Sequence, residues 1–438
     1  MRPASLVLAS TALVAIGQAA AARTDEAAAE PLRLAALQEE ALRADPRRRQ
    51  MELLAAQADL RLRNIAAERL PALKSEAQAQ YQSDVVTFPL PPSNGRGAPG
   101  PPNDTYDVHL GADQRLLDPT AGPRREAERA RLKEAQAQVQ VNLFALRQEV
   151  NEAFFAAALL QERGGVLAAA VTDLEARLRD ASARVEQGTA LPGEAAAVEA
   201  TLLLRRQDQG EVRARRQAAL ARLEALTARS IRGDAVLALP DLADVVERAR
   251  RAAGDPRARP EYEQFAGTRA RLDSQEQVVA AGRRPRLSAY GRAGYGRPGL
   301  DFVSDRFDAY WLAGLRLQWA PWTWGTERRE REELALQRQI VAADERAFTE
   351  GLRRAVQPEL SDIDRLDEAL ALDERIVALR EAIERETRLR FEEGVVTAAD
   401  YVDRHTDVLE ARLALAAHRV ERALAGARYL TILGLEVP

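Results

Sequence analysis

Four stretches of the chain alternate apolar and polar residues with a period of two, the pattern of a β-strand with one apolar face. They form two pairs, and the first member of each pair directly follows a proline, Pro71 or Pro285. A loop rich in Pro and Gly separates the members of each pair. Each pair therefore predicts a β-hairpin, and strands of about ten residues have the length that a tilted membrane strand needs. The predicted strands are 72–81, 106–117, 286–295 and 309–319.

Long helices are predicted after each hairpin. The clearest apolar seam consists of Val139, Leu143, Leu146, Val150 and Phe154. Its steps of four, three, four and four residues are close to those of a coiled coil. At about 1.5 Å per residue the two longest helices would measure about 96 and 102 Å, which is too long for a compact domain. The predicted long helices are 124–187 and 326–393, and the helices that return from them are 194–229 and 398–433.

The same order of elements occurs twice. A shorter helical stretch precedes each hairpin, at 32–70 and at 242–284, so each half reads helix, strand, loop, strand, long helix, glycine corner, helix. Self-similarity of this kind predicts a duplicated structural unit. We therefore predict a mainly α-helical protein with a small membrane β part. Its divisions are a signal peptide at 1–22, a first structural repeat at 23–240 and a second at 241–438.

A glycine closes each long helix. Gly188 and Gly394 each follow an arginine by four residues, Arg184 and Arg390 respectively. Glycine adopts the left-handed backbone conformation that ends many helices, so both positions predict a sharp reversal of the chain. The predicted tips are 188–193 and 394–397.

Two aspartates follow the second corner. Asp400 and Asp403 are three residues apart and therefore lie on one face of the returning helix. On the residues alone, the favoured interpretation is that both acids complement the positive end of the helix that begins there.

Composition supports long helices and argues against nucleic acid as a partner. The 438 residues include 30% charged and only 5% aromatic side chains, with a net charge of −4. The arginines alternate with acidic residues along helical faces instead of forming a basic patch. We expect these charges to be solvated helix surface.

The N-terminus has the pattern of a cleaved secretory signal. Met1 and Arg2 precede an apolar run at 6–16, and four alanines at 19–22 follow it. The alternative is an N-terminal anchor helix, but the run is shorter than the roughly 20 apolar residues that span a bilayer. We expect cleavage near Ala22 and no other membrane-spanning helix.

Catalytic and cofactor-binding patterns are not apparent. The chain has no cysteine, which excludes disulfides, thiol catalysis and cysteine-ligated zinc. Its three histidines, His109, His405 and His418, show no spacing typical of metal ligands. We therefore expect no enzyme activity, no cofactor and no bound metal.

The hairpins need further strands to be stable in a membrane. Open sheet edges are not tolerated in lipid, and the smallest bacterial membrane barrels have about eight strands, so four strands predict an oligomeric barrel. Aromatic residues near the strand ends are typical of a membrane girdle, although they could instead fill the core of a soluble sandwich. The predicted girdle residues are Tyr81, Tyr295, Trp311, Trp319, Trp322 and Trp324.

This order of elements resembles that of the TolC-like outer-membrane efflux factors over nearly the whole mature chain. The most specific part is the corner from Phe391 to Gly394, followed by aspartates six and nine residues after the glycine. The resemblance implies a homotrimer in the outer membrane of a Gram-negative bacterium, in contact with its lipid. A twelve-stranded β-barrel would continue as an α-helical tunnel.

The resemblance also implies passive export of small molecules, metal ions or polypeptides, in a tripartite efflux or type I secretion assembly. The helical tips would contact a periplasmic adaptor protein and an inner-membrane transporter. The tip residues so assigned are Gly188, Thr189, Gly394, Val395 and Val396.

The same resemblance assigns a pore entrance. Threefold symmetry would place six carboxylates from Asp400 and Asp403 around a narrow pore, which would favour cations. Similar proteins carry a basic latch residue shortly after the corner glycine, whereas Val395 and Val396 stand there in this chain, so Arg390 is the expected substitute. The residues assigned to the entrance are Asp400, Asp403, Phe391, Arg390 and Glu194.

Two other classes of protein share some of these features. A periplasmic adaptor also has long hairpin helices, but it normally carries one hairpin together with domains of many short strands. A structural coiled-coil protein of the envelope would not need amphipathic strands or clustered tryptophans. The channel interpretation accounts for more of the chain than either alternative.

Overall fold

The computed structural model describes residues 30–86, 101–252, 258–301 and 304–437. The predicted signal peptide lies outside these residues, as do most of the first hairpin loop and part of the predicted helical stretch at 242–284. The helices are α1 (Leu34–Ala44), α2 (Arg47–Ala67), α3 (Ala121–Glu186), α4 (Pro192–Thr227), α5 (Ala243–Arg251), α6 (Pro260–Ala281), α7 (Thr326–Glu392) and α8 (Ala398–Ile432). The strands are β1 (Leu32–Arg33), β2 (Ala72–Tyr81), β3 (Asp104–Leu117), β4 (Leu237–Ala238), β5 (Arg286–Arg297) and β6 (Asp308–Gln318).

Two helices dominate the molecule. With 66 and 67 residues, α3 and α7 each measure about 100 Å at about 1.5 Å per residue. α7 continues through Pro358 without a break in the helix.

The prediction of single helices before each hairpin was wrong. The first is divided into α1 and α2, because Asp45 precedes Pro46 and takes the extended conformation that proline imposes on the residue before it.

The helices form a layer whose members change along its length. Near the sheet the neighbours run in the order α2, α3, α6, α7, and toward the corners in the order α4, α3, α8, α7. The long helices α3 and α7 thus belong to both halves of the layer. The lateral edges are α2 and α7 in one half and α4 and α7 in the other.

The main apolar core lies where α1, α3, α4, α5, α7 and α8 meet. Phe154, Phe155, Leu366 and Leu430 are fully buried there, beside the short parallel pair of β1 and β4. Burial of each such side chain stabilises the fold by about 1.5–3 kcal/mol. This core fastens the middle of the rods, about halfway between the sheet and the corners.

We expected no further helix with the length and composition to span a membrane, and that prediction was wrong. Among the described residues, α3 contains an apolar stretch of sufficient length and hydropathy. α3 contributes Phe154, Phe155 and Ala157 to the main core, so part of this apolar stretch is packed inside the protein.

The four long strands form one antiparallel sheet in the order β2-β3-β5-β6. The register places residues of one parity on a common face. This face is apolar except for Ser75 and Gln114 within the strands and the ion pair of Asp104 with Arg297 at the end toward the hairpin loops. This face, called the apolar face below, consists of Leu73, Ser75, Ala77, Ala79, Tyr81, Tyr106, Val108, Leu110, Ala112, Leu287, Ala289, Gly291, Ala293, Tyr295, Ala309, Trp311, Ala313, Leu315 and Leu317.

The opposite, polar face of the sheet is held by hydrogen bonds between side chains. The hydroxyl of Tyr310 donates to Asp107, and the other carboxylate oxygen of Asp107 lies 2.6 Å from Nδ1 of His109. The guanidinium of Arg292 lies 5.8 Å from the centre of the Tyr310 ring. The sheet therefore has two chemically distinct faces across all four strands.

Glycine at position 294 leaves room for this network. A Cβ atom on Gly294 would lie 2.7 Å from His109 Cβ and 2.8 Å from both the Tyr310 hydroxyl and the Val108 carbonyl oxygen. A Cβ on Gly111, also on the polar face, would meet only atoms at 3.8 Å or more.

We predict that Gly294→Ala destabilises the sheet because the added methyl must displace the Tyr310 side chain or the β3 backbone. Overpacking of this kind costs about 1–3 kcal/mol. The midpoint of heat denaturation in detergent should fall by several degrees, while Gly111→Ala should leave it nearly unchanged. Equal midpoints for the two variants would contradict this explanation.

Candidate functional site

Both corners have the same backbone structure. Gly188 and Gly394 have φ angles of +72° and +74°, in the left-handed region, as predicted. The amide of the residue after each glycine donates back to the arginine carbonyl five residues earlier, at 2.9 Å for Thr189 and 2.8 Å for Val395. These bonds satisfy carbonyl groups that the helix end would otherwise leave unpaired.

An apolar cluster joins the two corners, and we call it the tip cluster. It combines side chains of the first hairpin, α3 and α4, with those of the second, α7 and α8. The rings of Phe391 and Tyr401 stack with centroids 5.6 Å apart and planes inclined by 13°. The buried members are Val171, Leu174, Val198, Leu202, Phe391, Ala398 and Tyr401.

Arg184 connects the first corner to the second. Its guanidinium donates to the carbonyl oxygens of Phe391 at 3.0 Å and Glu392 at 2.9 Å, in the last turn of α7. It also lies 5.4 Å from the centre of the Phe391 ring, within the range of a cation–π contact. A positive charge at a helix C-terminus interacts favourably with the helix dipole. Arg184 is therefore a side-chain clamp between the two hairpins.

A second arginine reinforces this connection. Arg177 of α3 lies 3.0 Å from Glu392 of α7, and it also approaches Asp173 and Asp180 on its own helix. Its side chain is only 15% exposed, so water screens these interactions less than on an open surface.

The two aspartates of the predicted entrance have different surroundings. The Asp400 carboxylate accepts from the Thr397 amide at 3.0 Å and from the Thr397 hydroxyl at 2.6 Å, and together they form a capping box at the start of α8. The helix-start interpretation therefore holds for Asp400. Asp403 is exposed and makes no hydrogen bond or ion pair with the described residues.

Hydrogen bonding also keeps Asp400 ionised. The bonds from Thr397 hold the pKa of the Asp400 carboxyl below its ordinary value. A lowered pKa means that the cap is fully present above the ordinary pKa of aspartate and is lost only as the pH falls through the lowered value. Near neutral pH, Asp400 therefore bears a negative charge.

The other predicted entrance residues occupy three different environments. Phe391 is only 3% exposed, so within the chain its ring supports the corner from inside the tip cluster. Arg390, the expected latch, is exposed and pairs with Glu386 on its own helix at 2.5 Å. Glu194 lies partly exposed in the first turn of α4. The clamp that the structure shows is Arg184.

The predicted tip residues lie mostly at the surface. Gly188, Thr189, Gly394 and Val395 are exposed, whereas Val396 packs against the tip cluster. Val395 is 69% exposed and projects an apolar side chain at the end of the second hairpin.

Sequence spacing did not reveal a group of polar side chains behind the tip cluster. Asp173 of α3, Glu384 of α7 and His405 of α8 place one potential ligand atom each within 4.8 Å of the others. The Tyr401 hydroxyl donates to Asp173 at 2.8 Å. These residues come from distant parts of the chain, so only the packing of the hairpins brings them together. In the sequence, the one indication of this group was a histidine, His405, in the apolar seam of α8.

The predicted girdle residues are exposed, which contradicts the alternative of a soluble sandwich core. Exposure ranges from 57% for Tyr295 to 81% for Trp324. Trp319, Trp322 and Trp324 lie at the junction of β6 and α7, and the Trp319 indole donates to the Arg283 carbonyl at 3.0 Å.

The aromatic residues form two groups at opposite ends of the strands. Trp311, which pairs with Ala293, lies toward the hairpin loops and Trp319 lies toward the helices. Eight residues of strand separate them, which corresponds to about 26 Å at about 3.3 Å per residue. Because strands of membrane barrels tilt by about 35–45°, this path corresponds to about 20 Å of height, within an apolar band about 25 Å tall.

Comparison with known structures agrees with this geometry. VceC, an outer membrane protein of Vibrio cholerae, is 16% identical with a TM-score of 0.66, covering 92% of this chain and 97% of VceC. The MtrE outer membrane channel of Neisseria gonorrhoeae is 18% identical with a TM-score of 0.64, covering 92% of this chain and 89% of MtrE. The CmeC outer membrane channel of Campylobacter jejuni is 14% identical with a TM-score of 0.63, covering 92% of this chain and 85% of CmeC.

This chain has the fold of those outer-membrane channels. The mainly α-helical chain fold that the TolC-like resemblance implied is thereby confirmed, whereas the trimer, the closed barrel and the duplication stay predictions. No protein-family model matches the sequence, and no curated protein sequence matches it. At 14–18% identity the similarity concerns the channel fold, and the roles of individual residues depend on the contacts described above.

We predict that Arg184→Ala loosens the second corner, because the last carbonyls of α7 lose their donor and the Phe391 ring loses its cation. Backbone amides of residues 394–397 should exchange hydrogen for deuterium several-fold faster.

Arg390→Ala is the matched control because it occupies the equivalent position of the second corner and loses only an exposed ion pair. It should leave exchange at 394–397 unchanged. Equal acceleration in both variants would show that Arg184 is not the clamp.

Proposed function

We propose that this protein is a passive channel of a Gram-negative outer membrane, which exports cargo in an assembly with a periplasmic adaptor and an inner-membrane transporter. The observation that carries the proposal is the four-stranded sheet, which has an exposed apolar face and a polar opposite face. Its strands β3 and β6 lead into helices of about 100 Å, α3 and α7. Passage through such a channel needs no catalysis.

The apolar face fits a lipid environment. Leu73, Leu110, Leu315 and Leu317 are 67–82% exposed in the chain, although a soluble sheet would cover such residues. The two aromatic groups lie at opposite ends of the strands, about 26 Å apart along the strand at about 3.3 Å per residue. Aromatic residues are enriched at the two boundaries of a membrane in this way.

A homotrimer would close the sheet. β2 and β6 each have one edge without a partner strand among the described residues. Three copies would contribute twelve strands and pair β2 of one copy with β6 of the next, which leaves no open edge in the lipid.

The helical layer supports the same assembly. Exposed apolar residues occur on each of its lateral edges, where a neighbouring copy would cover them. On α7, the exposed residues from Leu372 to Ile383 step by four, three and four residues, which is the spacing of a seam between packed helices. The exposed apolar residues of the lateral edges are Leu53 and Leu60 on α2, Leu203 and Leu204 on α4, and Leu336, Ile340, Leu372, Ile376, Leu379 and Ile383 on α7.

The corners would form the inner entrance of the tunnel. Asp403 of three copies would contribute an exposed ring of carboxylates, and Asp400 would add charge from within its capping box. Such rings favour cations over anions. The exposed ends of both hairpins, with Val395 at the second, are the surface offered to the adaptor.

The first experiment is fractionation of cells that produce the full chain. We expect the protein in the outer membrane, as a trimer that converts to a monomer on heating. A soluble periplasmic monomer would contradict the proposal.

Two adjacent substitutions test which face of the sheet meets lipid. We predict that Ala77→Arg strongly reduces the amount of folded trimer, since arginine on the lipid face costs about 2–4 kcal/mol near the bilayer midplane. Gln78→Arg on the polar face should leave the trimer intact. The intensity of the heat-sensitive trimer band measures the folded trimer of both variants. A greater loss of trimer in Gln78→Arg than in Ala77→Arg would show that the polar face, not the apolar face, meets lipid.

Charge at the entrance is tested by conductance in planar bilayers. We predict that Asp403→Asn lowers the preference for cations without changing heat stability, because Asp403 makes no hydrogen bond or ion pair with the described residues. Asp400→Asn should lower both, since it also weakens the start of α8.

Glu52→Gln, an exposed acid on α2 in the half of the helical layer away from the corners, is the control and should change neither property. Unaltered ion preference in both aspartate variants would exclude the carboxylate ring.

A further inference from the structure

The polar group behind the tip cluster has the composition of a metal site. Asp173, Glu384 and His405 supply two carboxylates and one imidazole from three different helices. Zn²⁺ and other divalent transition ions accept this combination of oxygen and nitrogen ligands. Packing of α3, α7 and α8 brings the three residues together, and none of them belongs to the proposed carboxylate ring.

His405 is the residue least explained by structural packing alone. It is 8% exposed, its Nε2 atom is buried without a hydrogen-bond partner in the described part of the chain, and Nδ1 lies 3.6 Å from Asp173 Oδ2. That separation is too long for a hydrogen bond. It is close to the roughly 3.4 Å between two ligands that each lie about 2.1 Å from a tetrahedral ion.

We propose that Asp173, Glu384 and His405 bind one divalent first-row transition ion per chain, for which Zn²⁺ is the reference. The ion would connect α3 of the first hairpin to α7 and α8 of the second. Ion binding itself does not depend on the proposed channel function. That the ion would brace the entrance of a tunnel rests on that proposed function.

Burial disfavours the charged forms of two of these residues. It lowers the pKa of His405 against the opposing effect of the Asp173 carboxylate, and it raises the pKa of Glu384. A cation bound here would compensate the cost of the buried carboxylate.

The nearby arginines do not impose an unbalanced positive field. Arg205 pairs with Asp208 at 3.0 Å, and Arg412 with Glu381 at 2.6 Å. Arg177 pairs with Glu392, as described for the tip. Arg205 and Arg412 are thus neutralised by acids outside the proposed ligand set, whereas Arg177 also lies 3.8 Å from Oδ1 of the proposed ligand Asp173.

Tyr401 completes the arrangement as a positioning residue. Its fully buried ring is fixed by stacking on Phe391, and its hydroxyl donates to Oδ2 of Asp173 at 2.8 Å. A hydrogen bond to a ligating carboxylate fixes its orientation and typically contributes about 10–100-fold to metal affinity. The ion would therefore brace the hairpins directly behind the Phe391 corner.

The test is metal binding by the untagged, full-length protein in detergent after treatment with a chelator. We expect calorimetric titration with Zn²⁺ to give one site per chain at micromolar concentrations, and Co²⁺ to give visible absorption bands at the same stoichiometry. His405→Gln and Glu384→Gln should each weaken binding by at least about 100-fold, and Tyr401→Phe by about tenfold.

His418→Gln is the matched control. His418 also lies on α8 and contacts an acid of α7, with Nδ1 2.6 Å from Asp373, but this pair has no third ligand among the described residues. Zn²⁺ affinity should be unchanged in this variant.

Three outcomes would overturn the proposal: no saturable binding of Zn²⁺ or Co²⁺, unaltered binding in Glu384→Gln, or loss of binding in His418→Gln. If His405→Gln fails to fold, the isosteric Glu384→Gln decides alone. Failure of this test leaves the channel proposal intact, because trimer formation and membrane location are measured without added metal.

Discussion

An incomplete antiparallel sheet is the constraint on which the rest of this structure depends. One face of the sheet is largely apolar across four strands, and β2 and β6 each have one edge without a partner strand among the described residues. An exposed apolar face is unfavourable in water, and an open strand edge is unfavourable in lipid. In the proposed channel, lipid would cover the apolar face and neighbouring copies would pair with both edges. The same neighbours would cover the exposed apolar residues of α2, α4 and α7 at the lateral edges of the helical layer.

Most of the fold could be predicted because its signals are local and periodic. Alternation located all four long strands within about two residues, and the seam spacing located α3 and α7. Glycine chemistry identified both corners. The break at Asp45 was missed although Pro46 marked it, because the helical pattern continues on both sides. The division into two repeats and the trimer remain predictions, since one chain shows neither an ancestral duplication nor a neighbour.

The candidate site was less predictable because it depends on which helices become neighbours. The motif at 391–403 drew attention to Asp400 and Asp403, but their different roles follow from a hydrogen bond that only coordinates reveal. Arg184 was visible as part of a corner, while its partners lie more than 200 residues away in the sequence. The expected latch, Arg390, resulted from reading a single corner on its own, whereas the structure closes that corner with a residue of the other half.

Arg184 and Arg390 stand four residues before their glycines, yet only Arg184 crosses to the other hairpin. Position 391 holds a buried ring beneath the guanidinium, whereas the corresponding position in the first corner is Val185. The contact between the two halves is thus asymmetric, because the first half supplies the guanidinium donor and the second half supplies the carbonyl acceptors. In the proposed trimer, six similar hairpins would alternate between two kinds, so the end of the tunnel would have true threefold rather than sixfold symmetry. A protein that docks there would meet two kinds of groove and could release one set of hairpins while the other stays in place.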